Sequence, residues 1–121
     1  MANQLMRLTP AILRSVYAML DECKPFDKWN LPDADEMVFV VGKDQHHFAW
    51  CNDANRKKIV ITVHPKFHGR LSTVVETMAH EMVHVHLFRY PTLRRGGEHN
   101  AAFWRYADQV CKELGFDRSR F

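Results

Sequence analysis

The stretch from Leu71 to Arg89, LSTVVETMAHEMVHVHLFR, decides how this chain is read. Gly69 precedes it and Pro91 lies just past its end, so the apolar pattern between them predicts one long helix, with Ser72 or Gly69 as its cap. With His80 as origin and about 100° per residue, Leu71, Val74, Met78, Met82 and Val85 gather on the far side as a core stripe. The near side carries Thr73, Thr77, Leu87 and Phe88. It also carries the first and last residues of His80-Glu81-Met82-Val83-His84, an HExxH pattern. Helix positions four apart lie only about 40° from each other, so His80 and His84 can turn two imidazoles toward one Zn²⁺. Glu81 sits about 100° around, on the flank, where it reaches a water on such a metal without being a ligand. His86 lies about 140° from the midpoint of the pair and reads as exposed or packed.

A catalytic zinc usually takes three protein ligands and keeps a fourth position open. Tyr90 occupies the place of a metzincin's third histidine, which excludes that class. Downstream, Glu98 and His99 both stand at the start of a further predicted helix, after Gly96-Gly97. Phe103 and Tyr106 follow His99 at helical spacing, so its face turns inward, while Glu98 turns about 100° away. His99 is the favoured third ligand. His46, His47, His64 and His68 read as surface or structural histidines.

Outward from this helix, the rest of the chain reads as one α+β domain spanning residues 1–121. Thr9-Pro10 marks the start of an N-terminal helix running to about Cys23. Phe26 to Glu36 reads as a loop. Met37–Val41, His46–Cys51 and Lys58–His64 read as strands, and their close spacing predicts a three-stranded antiparallel meander. A C-terminal helix from about Asn100 to Leu114 carries Phe103, Tyr106, Ala107, Val110 and Leu114 as its stripe, with Gly115 as its stop.

Composition sets the outer bounds. A chain of 121 residues has room for one core. Hydrophobic residues at 46% and charged residues at 26% exclude a disordered or collagen-like chain. Lys plus Arg is 17 against 14 for Asp plus Glu, a mild +3. No apolar run approaches the roughly 20 residues of a membrane helix. The opening MANQLMRLTP has no signal-peptide core, so a cytoplasmic location is expected. Cys23, Cys51 and Cys111 are odd in number and form no CxxC pair, which argues against a disulfide scaffold or a cysteine zinc ribbon.

The run HEMVHVHLF followed by GGEHNAAFW resembles the SprT-like zinc metallopeptidases, the group that includes Spartan. That family has HExxH on a helix, a third histidine after a loop, and an aromatic four residues beyond it. The matching positions are His80, Glu81, His84, His99 and Phe103, and the resemblance is specific over about Leu71 to Trp104. It implies a zincin-like fold and a zinc-dependent peptidase in which Glu81 is the general base toward a zinc-activated water. It also implies substrates bound or crosslinked to DNA. Asn100 departs from the glycine frequent in the family, and no cysteine-rich ribbon or partner-binding tail follows Phe121 in this sequence.

The residues lend DNA binding some support. Arg89, Arg94, Arg95 and Arg105 surround the third-ligand loop, Arg56-Lys57-Lys58 opens the third strand, and Trp50, Phe88 and Trp104 offer stacking surface. The expectation is a monomer that meets DNA through Arg94 and Arg95. No second oxyanion donor stands out among Tyr90, Arg94, Arg95 and Tyr106. The alternative is a non-catalytic DNA-associated module with a structural zinc. A structural site, however, has no use for Glu81 and normally fills its fourth position with a protein ligand. A third reading is a small interaction protein without metal.

Overall fold

The computed structural model describes residues 7–42, 49–52, 59–64 and 70–121. Helix α1 spans Pro10–Asp21, with proline at its first turn and Thr9 as its cap. The Thr9 hydroxyl accepts from the Ile12 amide at 3.2 Å, satisfying one of the unpaired donors of the first turn. Leu13, Val16, Tyr17 and Leu20 fall on one face and are buried. The Tyr17 hydroxyl donates to the Pro32 carbonyl at 2.5 Å and so ties the following segment to this helix. That segment, expected as a loop, contains two short 3₁₀ turns, Phe26–Lys28 and Ala34–Glu36.

Strands β1 (Met37–Val41), β2 (Ala49–Asn52) and β3 (Ile59–Val63) form one sheet. The antiparallel meander expected from the sequence is wrong. The spatial order is β1-β3-β2, and β1 pairs with β3 in parallel, Met37 opposite Ile59 and Val41 opposite Val63. Only the β2–β3 pair is antiparallel, with Ala49 opposite Val63 and Asn52 opposite Val60. The physical reason lies in β3. Ile61, Thr62 and Val63 are all buried, so both faces of the strand are covered and it takes the centre. Val40 of β1 is 37% exposed, as suits an edge. His46, His47 and Phe48 of the expected second strand lie outside the described residues, as do Lys58 and His68. His64, just after β3, is buried.

Helix α2 spans Leu71–Leu87 and helix α3 spans Ala101–Leu114. α2 is the centre of the molecule: it packs against α1, β2 and α3. Val74, Met78, Met82 and Val85 are buried, and each such side chain is worth about 1.5–3 kcal/mol of burial. Leu71 departs from the expected stripe. It is 54% exposed and lines an open apolar groove between α1 and α2 with Met19 and Val75. Of the expected caps, Ser72 lies inside the helix and Gly69 lies outside the described residues; α2 follows Arg70, whose side chain makes no capping bond. α3 buries Phe103, Ala107, Val110 and Cys111, and ends at Gly115 in the left-handed conformation (φ 80°). The chain then turns back toward α2 through a 3₁₀ turn, Arg118–Arg120. Among the described residues no helix is long and apolar enough to cross a membrane.

Candidate metal centre

His80 and His84 project from the same face of α2, and their rings meet at 5.1 Å between centroids. His99 comes from the loop ahead of α3. Its Nε2 stands 3.1 Å from Nε2 of His80 and 3.2 Å from Nε2 of His84. Three imidazole nitrogens therefore converge on one point, all within 4.8 Å of one another, and this group is fit to hold a metal ion. Among the described residues no fourth histidine, cysteine or carboxylate joins it.

Each ligand is held from behind. Phe103, one turn into α3, packs its ring at 5.0 Å from His80, 4.7 Å from His84 and 4.7 Å from His99. It is fully buried and acts as the common floor of the three rings. Asn100 sets the loop. Its side-chain oxygen accepts from the Phe103 amide at 3.0 Å, while its Nδ2 donates to the carbonyls of Leu93 at 2.7 Å and Arg95 at 2.8 Å. The residue beside His99 is thus at once the cap of α3 and the clasp of the preceding loop. A glycine there would supply none of these bonds.

His80 donates from Nδ1 to the main-chain oxygen of Phe121 at 2.5 Å. Burial pushes its pKa down to about 4, against an opposing effect of that hydrogen bond and with a smaller contribution from His99. At neutral pH its ring is uncharged, the form that ligates a cation.

Glu81 lies on the flank, with Oε2 3.9 Å from Nε2 of His80. Its side chain is buried, and Oε1 has no hydrogen-bond partner among the described residues. Burial, helped by the nearby Glu98 carboxylate, raises its pKa to about 8. A buried acceptor left unpartnered costs about 1–3 kcal/mol, which marks this group as held for something other than stability. Glu98, the rejected candidate ligand, is exposed and enters the site only through its charge on Glu81.

His86 does not join this centre. It is buried on the other side of α2, stacked on Trp29 at 4.5 Å and edge-on to Tyr106 at 4.6 Å. Arg89 does not face outward as a free cation. It donates Nη1 to the Trp29 carbonyl at 3.1 Å and Nη2 to the Asn30 carbonyl, so it fastens the loop beneath the same cluster. Arg95 and Arg105 are exposed. The side chains of Arg94 and Trp50, and residues Arg56, Lys57 and Lys58, lie outside the description. Trp104 is covered on one face by the Arg118 guanidinium at 4.4 Å.

Sequence reasoning missed two positioning groups, Asn100 as a clasp and the Phe121 oxygen. An asparagine at a helix start carries a capping signal, but its Nδ2 bonds to Leu93 and Arg95 do not show in the pattern. A main-chain oxygen has no side-chain signature at all. Comparison with family models and with curated proteins finds no match to this chain. The class of protein therefore rests on the site itself, a three-histidine group with a buried glutamate at its edge.

Proposed function

We propose that this chain is a zinc-dependent metallopeptidase of the SprT-like kind. The observation that carries the reading is the unpartnered Glu81 Oε1 beside three converging Nε2 atoms. The donor set fits zinc: three imidazoles with no fourth protein ligand among the described residues. Zinc, when bound there, supplies a Lewis acid that polarises a peptide carbonyl and acidifies a water. His80, His84 and His99 hold that centre against the floor of Phe103. Glu81 accepts the proton of the attacking water on its free oxygen and delivers it to the leaving amine nitrogen. Burial makes it a stronger base than an exposed carboxylate, and a nearby cation favours its ionised form.

Proteins held on DNA are the proposed substrate class, with Arg94 and Arg95 beside the third-ligand loop as the contact to the phosphate backbone. The competing reading, a DNA-associated module with structural zinc, leaves the buried glutamate without a purpose. One measurement tests the metal and a second separates the readings. Elemental analysis of protein purified without a histidine tag gives one zinc per chain under both readings. Glu81→Gln keeps that zinc, and under the peptidase reading lowers cleavage of an unfolded protein by about 10²–10⁴-fold. Cleavage unchanged by this substitution removes Glu81 as the general base, and no cleavage by the zinc-loaded parent chain removes the peptidase.

A further inference from the structure

We infer that the segment Arg118–Phe121 is a positioning element for the metal centre: through the Phe121 main-chain oxygen it fixes the tautomer and orientation of His80. The inference rests on the metal reading of the three histidines and adds to it a device from a distant part of the chain. A main-chain oxygen accepts and does not donate, so the 2.5 Å contact places the proton of a neutral His80 on Nδ1. Nε2 then carries the lone pair, and Nε2 is the atom that faces His84 and His99. Without that acceptor a neutral imidazole is free to protonate Nε2, which removes its capacity to ligate. Oxygen acceptors on the second nitrogen of metal-bound histidines, main-chain or carboxylate, act in this way and are worth about 10–100-fold in metal affinity.

The acceptor lies 41 residues from His80 in sequence, so something must hold it there. Several contacts do. Arg118 pairs with Asp108 of α3 at 2.5 Å and lays its guanidinium over Trp104. Asp117 accepts from the Ser119 amide at 2.9 Å and from the Ser119 hydroxyl at 2.7 Å, which folds the turn. The Phe121 ring stacks on Phe116 at 5.8 Å and lies 5.3 Å from the His80 ring. Asp108 and Trp104 sit on α3, the helix that follows His99, while the oxygen they help to place serves α2. The segment thereby braces the two helices that bring the ligands together.

Nitrogen NMR of the metal-free 121-residue chain tests this directly, because it reports which nitrogen of His80 carries the proton. The expected result is the Nδ1–H tautomer. Removal of residues 118–121 is expected to shift His80 toward Nε2–H and to weaken zinc binding about 10–100-fold in competition with a chromophoric chelator. Should the shortened chain fail to fold, Arg118→Gln loosens the same segment and is expected to move both readouts in the same direction. An Nε2–H tautomer in the 121-residue chain overturns the inference. So does zinc affinity that is indifferent to both variants. If the tautomer is as expected and zinc still does not bind, the segment fixes His80 but serves no metal, and the metal reading falls with the positioning role.

Discussion

Two histidine environments share helix α2, and the contrast between them separates a site from a core. His80 and His86 are both pushed to a pKa of about 4 by burial, so titration alone does not tell them apart. Their partners do. His80 points a nitrogen at two other nitrogens and donates its second to a fixed oxygen. His86 meets only ring faces and edges, from Trp29, Tyr90 and Tyr106, and its buried Nδ1 has no hydrogen-bond partner among the described residues. One arrangement concentrates lone pairs, an unfavourable grouping that a cation relieves. The other fills space as a flat ring. Burial of a histidine is therefore a poor index of metal binding, and convergence of its nitrogens is a good one.

Substitution across the two environments gives the largest expected difference. His80→Ala, His84→Ala or His99→Ala each leaves two imidazoles and is expected to abolish stoichiometric zinc and all peptidase activity. His86→Ala is expected to keep one zinc per chain but to lose about 3–5 kcal/mol of stability, in the manner of a buried aromatic truncated to alanine. Elemental analysis and thermal melting of the four variants measure both. If His86→Ala loses zinc while remaining folded, the distinction between site and core collapses.

Asn100→Ala sharpens the comparison within the site. It removes a helix cap and the clasp to Leu93 and Arg95, but no ligand. The expected cost is about 0.5–2 kcal/mol of stability. The zinc dissociation constant is expected to rise by about tenfold, in line with other partners that orient ligands. A variant as stable as the parent, with unchanged zinc affinity, would show that His99 needs no such support. The smallest effect concerns the rim. Replacing Arg94 and Arg95 together with alanine is expected to weaken single-stranded DNA binding and lower its salt slope, by about one for each lost phosphate contact. Zinc content stays the same. Titration of a labelled oligonucleotide at two salt concentrations measures it, and indifference to the double substitution would remove DNA from the proposed function.

What the sequence determined by itself is what repeats locally. The four-residue step from His80 to His84 places both on one helix face wherever that helix lies, since the angle per residue is a property of the backbone. The same logic set His86 apart, chose His99 over Glu98, and marked Thr9 and Gly115 as helix ends. What only the tertiary structure decided depends on partners far away in the chain. Strand order is one case. Three strands close in sequence suggest a meander, yet β3 has two faces to bury and takes the centre, and β1 pairs with it in parallel. Its β-branched residues on both faces carried that signal, but proximity in sequence outweighed it. Leu71 is another: the helix wheel assigns it a face but cannot say where along α2 the cover ends. The Phe121 oxygen is the extreme case. Every residue carries a main-chain oxygen, so no pattern of side chains distinguishes the one that meets His80; only the folded path of the segment after α3 brings it there.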